Sequence, residues 1–441
     1  MTMLLTERAL LEPTPEQVEW LWGMSRVATA LYNLALEQRR GWWFRYHGSR
    51  PGIGYTQQNA QLVDLKEGFP EFNCLYSLVA QEVLRALQKD YRSFFARLKQ
   101  QKTDGEEVSA RLPWFKSSRY FFTLTYIQSG FSLKGGTLVL SGGLEEYTDQ
   151  EGRTKKRSRR ETIRIAGCRQ LPEKVHSLTV TNRKGRFYAN LTYEVEPEMP
   201  DGIRPLNGLA FDPGVKTFLT GADDAGRLIE FQSLIKRSTK YFDAEIDRVK
   251  SMRDRCNNGS RRFRRLKQVL HDLYRRRNAQ VNDELHSIAK LVAEGDWDIV
   301  GVGNAEKQGM VSADPDKGRG NQRINRAVQN NWPLTKYRKI QAYKLEYKGK
   351  LYLAVDEHYS TQDCSHCGHR MKIDPSVRVY RCPKCEMELG RDENSAINLL
   401  NRVLTGMCRQ KMDYRAYRVR ISFHRSLSGR WTHREALTNP A

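Results

Sequence analysis

Acidic residues are outnumbered, long apolar runs are absent and cysteines are few in this sequence, and each of these excludes something. Against 74 Lys and Arg stand 51 Asp and Glu, a formal net charge of +23 over 441 residues. That imbalance favours a polyanion as partner, nucleic acid before an anionic membrane. A membrane surface is the competing reading, but no lipidation motif or long amphipathic anchor supports it. No apolar run approaches the roughly 20 residues of a membrane span. The stretch from Met1 to Leu11 is too short for a secretory signal and carries Glu7, with Glu12 just beyond. Cysteines number eight, and half of them fall in one spaced pattern. Without a secretory signal such a pattern fits a reducing cytoplasm, the expected location.

The pattern is Cys364 and Cys367, then Cys382 and Cys385: two C-x-x-C pairs of the kind that form tight metal knuckles. Gly368 follows the first pair, where a knuckle needs a permissive backbone. Four thiolates complete a tetrahedral Zn2+ site and leave no open position, so the zinc is expected to be structural. Four unrelated thiols or two disulfides are the alternatives, and His366 and His369 are rival ligands. Carboxylates flank the pattern: Asp356 and Glu357 before it, Asp392 after it.

Three zones are legible along the chain. The first, to about residue 130, reads as helical. Thr14 precedes Pro15, Glu16 and Gln17, a helix start. A second helix is expected over roughly Leu75 to Gln100, its apolar side a packing face. The second zone, roughly Arg111 to Glu196, alternates like strands, with a hairpin turn at Asn182 to Gly185. The basic run from Arg153 to Arg160 is expected to be an exposed loop. In the third zone GLAFDPGVKTFLTGADDAG reads as strand, Pro-Gly turn and strand, with Asp212 on the first strand. Ser233 to Gln280 is helical and too one-sidedly basic for a salt-bridged surface, which suits contact with RNA or DNA. WDIVGVGNAEKQGM is a buried strand leaving into a loop, followed by a helix containing Trp332 to Tyr347 and the strand LYLAVDE. RDENSAINLLNRVL is a helix whose first turn holds Asp392. The remainder after Thr405 is expected to be a loosely ordered basic tail.

FDPGVKTF, STQDCSHCG, CPKC and GRDENSAINLL, in this order, resemble the RuvC nuclease of the TnpB transposon-encoded proteins, the Fanzor proteins and the compact type V CRISPR effectors. RVATALYNLALEQRR and RLPWFKSSRYFFTLTY extend the likeness toward the N-terminus. The resemblance implies an α/β multidomain chain. Its RNase H-like (RuvC) domain would occupy 206–359 and 388–405, carry a basic helical hairpin at 236–290 and hold an inserted zinc ribbon at 360–387. A β-barrel-like wedge domain would take 1–12 and 111–205, with a helical recognition domain inserted at 13–110 and a basic tail at 406–441. It also implies an RNA-guided DNA endonuclease, with a guide RNA and target double-stranded DNA as partners. Two Mg2+ ions would serve catalysis and one Zn2+ the ribbon.

One position departs from the family pattern. The strand before the loop usually ends in a catalytic Glu, and here Gly303 stands in its place. Two Asp residues alone would hold magnesium weakly. Glu357 ends the neighbouring strand, and adjacent strands lie only about 4.8 Å apart. It is therefore the first candidate to join Asp212 and Asp392 as catalytic magnesium ligand; some members of the superfamily resemble this arrangement. Glu306 in the following loop is the second candidate, and Asp356 should face the other way. An inactive site is the third outcome, which would make the chain an RNA-guided DNA-binding repressor. A guide-free zinc-ribbon DNA-binding or transposase-like protein stands apart from all of these.

Overall fold

The computed structural model describes residues 2–438 apart from 48, 106, 108, 149–150, 152, 167–171, 173, 200–205, 215–216, 233–234, 305–332, 375–376 and 427–428. The chain divides into two units, Thr2–Val195 and the part from Glu196 onward. Among the described residues no helix is long and apolar enough to cross a membrane.

The first unit is a seven-stranded antiparallel sheet with helices inserted after its first strand. The strands are β1 (Met3–Glu12), β2 (Leu124–Ile127), β3 (Phe131–Lys134), β4 (Thr137–Thr148), β5 (Thr154–Ala166), β6 (Ser177–Arg183) and β7 (Arg186–Val195). Their order is β2-β6-β7-β1-β5-β4-β3. Lys184 and Gly185, both at positive φ, make the tight β6–β7 turn that the sequence predicts. The run Arg153 to Arg160 is not the loop expected of it. From Thr154 it is strand, paired antiparallel with β4. Its charges hide the strand pattern because backbone pairing with a partner, not apolar alternation, holds it in place.

The inserted helices are α1 (Pro15–Tyr46), α2 (Tyr55–Ala60), α3 (Leu62–Gly68) and α4 (Ser77–Thr103). Thr14 caps α1: its hydroxyl accepts from the Gln17 N–H, and the Gln17 side chain accepts from the Thr14 N–H. Leu21, Met24 and Leu31 of α1 share one core with Val79, Val83 and Leu87 of α4 and with Leu124 and Leu178 of the sheet.

The second unit is built on β8 (Gly208–Pro213), β9 (Leu219–Asp223), β10 (Arg227–Phe231), β11 (Ile299–Gly303), β12 (Leu351–Val355), β15 (Val419–Arg425) and β16 (Trp431–Leu437). Their order is β12-β11-β8-β9-β10-β15-β16. β11 runs parallel to both β8 and β12. A helical hairpin, α5 (Ile235–Asp254) and α6 (Arg261–Glu294), closes on Ile246, Val249 and Leu270. The later half of α6 and α7 (Leu334–Tyr347) cover one face of the sheet, where Leu209, Phe211, Val300 and Val302 point. α8 (Arg391–Gly406) covers the other, where Ala210, Ile299 and Val355 point. Trp332, expected in α7, lies outside the described residues.

The expected loose tail is a correction. Beyond Gly406 the chain returns to the sheet: β15 pairs parallel with β10, and β16 pairs antiparallel with β15. Val419, Ile421 and Phe423 alternate along β15, a weak signal that the surrounding Arg and His residues mask. The segment is also tied down by side chains. Arg420 pairs with buried Glu393 of α8, and Asn401 bonds both the N–H and the carbonyl of Met412.

Candidate metal centre and carboxylate site

Between β12 and α8 the chain makes a small module around the hairpin β13 (Val379–Arg381) and β14 (Glu388–Gly390). The sulfurs of Cys364, Cys367, Cys382 and Cys385 all lie within 4.8 Å of one another. Two pairs, Cys364 with Cys385 and Cys367 with Cys382, stand 3.6 Å apart. A tetrahedral zinc with Zn–S near 2.3 Å requires sulfurs about 3.8 Å apart, so the four residues fit that ion. The spacing far exceeds a disulfide bond. Each knuckle closes the same way. The Gly368 N–H donates to the Cys364 carbonyl and the Glu386 N–H to the Cys382 carbonyl, both at 2.9 Å. Both closing residues have positive φ, 71° at Gly368 and 58° at Glu386. His366 turns away from the sulfurs to Asp413 at 2.8 Å.

Strand alternation aims two of the carboxylates, and the start of α8 places the third. Asp212, half-buried, is the last residue but one of β8 and shares the parity of Ala210, toward α8. Glu357 follows β12 with the parity of Leu353 and Val355, toward the same side. Asp392 sits in the first turn of α8, where a helix N-terminus favours negative charge. Burial pushes the Asp212 carboxyl well above the usual carboxylate range, and the charges of Glu357 and Asp392 push it further. Arg391 and a hydrogen bond with Ser395 oppose the rise. The structure therefore brings Asp212, Glu357 and Asp392 into one electrostatic neighbourhood.

Gly303 shows how Glu357 gets there. A Cβ at position 303 would lie 2.0 Å from Glu357 Oε1, 2.6 Å from its Cδ and 2.7 Å from its Cγ. The Glu357 side chain occupies the space that a side chain on β11 would use. Asp356 is exposed and accepts a hydrogen bond from the His358 backbone N–H, with the His358 ring 2.8 Å away; these contacts hold its carboxyl below the usual range. Glu306 lies outside the described residues.

The comparisons with known proteins bear on the kind of protein this is. The family model for the Cas12f1-like TNB domain matches residues 335–399, from α7 through the cysteine module into α8. A candidate RNA-guided DNA endonuclease of Mycobacterium tuberculosis is 28% identical over 228 residues, 51% of this chain and 48% of that protein. InsQ of Escherichia coli, also named as a candidate RNA-guided DNA endonuclease, is 27% identical over 248 residues, 54% of this chain and 59% of its own. The chain thus spans about half the length of the curated relatives it matches. Among solved structures, the protein of a Cas12f1–sgRNA–target DNA complex superposes with a TM-score of 0.60 at 15% identity, covering 88% of this chain and 83% of that one. The family model and the relatives support a likeness to the TnpB/Fanzor superfamily.

Within this TnpB-like chain, several residues that sequence reasoning passed over hold the site. The Asn394 carboxamide accepts from the Ser365 N–H and donates to the Asp363 carbonyl, at 2.9 and 2.8 Å. Asn398 donates to the carbonyls of Ser360 and Asp363 at 2.9 and 2.7 Å, and the Ser395 hydroxyl donates to that of Ser360 at 2.9 Å. The turn leaving Glu357 is thereby stitched to the helix bearing Asp392. Polar residues at 394, 395 and 398 recur at helical spacing among the buried apolar positions of α8, the signal that could have found them. Arg338 of α7 donates to the Gly303 carbonyl and to the Asn304 side chain. Arg391 holds the Asp392 carboxylate at 2.8 Å, and Arg378 stands 3.8 Å from it.

Proposed function

We propose that the protein is an RNA-guided DNA endonuclease whose carboxylate site is completed by Glu357 in place of the residue missing at 303. The placement of the Glu357 side chain over the Gly303 Cα carries this reading, because it returns a third carboxylate to the neighbourhood of Asp212 and Asp392. Three clustered acids, two of whose charges raise the proton affinity of the third, Asp212, are suited to divalent cations, which would relieve their repulsion. Two magnesium ions held there would supply the charge that activates water and offsets the leaving oxygen during phosphodiester hydrolysis.

The residues of the chain divide the remaining work. Asp212, Glu357 and Asp392 fix the ligand positions from three separate elements. Arg338 and Arg391 steady the Gly303 backbone and Asp392. In the reaction a water oxygen bonds phosphorus as the P–O3′ bond breaks. Zn2+ held by Cys364, Cys367, Cys382 and Cys385 would supply cross-linking, not catalysis, since all four positions are filled by protein. The net charge of +23 supports a guide RNA and a DNA duplex as partners. Base pairing with the guide would supply the sequence reading, beside a short flanking DNA motif.

The test is cleavage by the chain purified with its own RNA, with magnesium and a matching DNA duplex. Glu357→Ala is expected to abolish cutting and leave RNA and DNA binding intact. Cutting by that variant at the wild-type rate would exclude Glu357 as a ligand.

A further inference from the structure

A second feature of the chain lies in its first unit, in the helices and not in the carboxylate site. The C-terminal half of α1, residues 52–54 and α4 enclose a cavity of about 730 Å³. Trp43, Phe44, Tyr91, Phe94 and Phe95 contribute rings to its wall. Trp43 is 62% exposed, Phe44 77% and Phe95 57%. Rings that exposed contribute little to the core beneath them, and a cluster of them marks a binding surface.

The charges in the same wall say what kind of ligand fits. Arg39, Arg40 and Arg92 line the cavity, and no residue of the described lining is acidic. Arg39 is only 7% exposed. Its Nε donates to Gln58 and its Nη1 to Gln88, both at 2.9 Å, while Nη2 has no hydrogen-bond partner. A buried guanidinium with an idle donor is costly until an acceptor arrives. Arg40 lies over the rings of Trp114 and Phe115, 4.7 and 5.4 Å from their centroids. An adjoining hollow shares Phe95 and Leu98 and adds Lys99 and Lys102. A wall of ring faces with cations and no anions suits an aromatic ligand attached to negative charge.

We infer that this cavity binds unpaired nucleobases of a single nucleic-acid strand, with the rings stacking on the bases and the arginines meeting base acceptors or phosphate. A duplex has no free base faces to offer. A second copy of the chain would bring the same arginines against themselves, and like charges opposed across an interface are repulsive. The inference rests on the nucleic-acid partners of the proposed function but not on cutting.

The experiment uses the full chain, stripped of nucleic acid in high salt and assayed without added magnesium. Two fluorescent probes are compared: an oligothymidylate and an abasic strand of equal length and charge. The wild type is expected to bind the strand with bases about 10-fold or more tightly, since each stacked base is worth that order. Trp43→Ala and Phe95→Ala should erase the difference, and Trp43→Phe should keep it. Both positions are exposed, so unchanged thermal melting serves as the folding control. Equal binding of the two probes by wild type overturns the inference. So does a Trp43→Ala chain that keeps its base preference while its oligomeric state changes. A chain that prefers bases but never cuts leaves this inference standing and removes the endonuclease reading; one that cuts without base preference does the reverse.

Discussion

The cysteine module and the carboxylate site lie next to each other in the second unit and are built on opposite plans. The cysteines come as two local pairs, each held by its own knuckle, and their sulfurs converge without help from the sheet. The carboxylates come from the end of β8, the residue beyond β12 and the first turn of α8, so only tertiary structure unites them. A locally encoded site tolerates little change in its ligands. A site assembled by sheet geometry can move a ligand to the neighbouring strand, provided the old position is vacated. On the proposed reading Gly303 is that vacancy: a Cβ there would lie 2.0 Å from Glu357 Oε1.

Removing the module's metal is the harshest way to break the comparison. Cys382→Ser is expected to lose the zinc, unfold residues 360–390 and lower soluble yield, because zinc binding in such modules is folding free energy on the order of 10 kcal/mol. The loss should reach the carboxylates, since Asn394, Ser395 and Asn398 tie α8 to the turn at 360–365. Zinc content by atomic absorption and cutting by gel should fall together. A chain with about one zinc per molecule after this substitution would dismiss the four-cysteine site.

Gly303→Ala breaks the other side with far less damage. The atoms that a Cβ would meet are the far end of Glu357, which can swing away, so melting should change by no more than about 1 kcal/mol. Cutting should fall about 100-fold, the cost of an ångström-scale misplacement. Moving the carboxylate back, with Gly303→Glu and Glu357→Gly together, should recover part of the activity. Recovery would establish that the position of the charge matters and its strand of origin does not.

A gentler probe is pH. Asp212 has a folded proton affinity above its ordinary value, so between the two values the folded chain binds more protons than the unfolded chain. Stability without magnesium is therefore present at low pH and lost as pH rises through that window. Magnesium should restore it, and Asp212→Asn should flatten the dependence. The cysteine module should show no such response to magnesium. Melting scans across the weakly acidic to neutral range, with and without the ion, give the result; an unchanged slope in Asp212→Asn would assign the pH dependence elsewhere.

How far each region was legible follows from the same contrast. The cysteine module could be read because its spacing is local, and Asp212 and Asp392 because each sits in a recognisable local motif. The nearness of Glu357 to Gly303 needed one tertiary assumption, that β11 and β12 are neighbours, and they are. β15 was missed because its partner, β10, precedes it by most of the second unit, and β16, which pairs with β15, was missed with it because the residues of both are largely polar. The first half of β5 was read as a loop because a charged strand is recognisable only beside β4. Arg338 was missed for a related reason: nothing on α7 announces a bond to the backbone of β11.

The smallest expected effect tests how closely the two knuckles of the module match. Gly368 holds positive φ at the close of the first, and Glu386 holds it at the close of the second. A side chain in that region costs about 1 kcal/mol that glycine avoids. Glu386 is exposed, so its replacement removes no buried contact. Glu386→Gly should therefore strengthen the second knuckle, raising zinc affinity about 5-fold in competition with a chromogenic chelator. Cutting should stay at the wild-type level, because the carboxylates depend on α8 and not on this turn. Weaker zinc binding would mean that the chain freedom gained in the unfolded state outweighs the strain relieved, and that the second knuckle is held by its hydrogen bond to Cys382 despite its backbone angle.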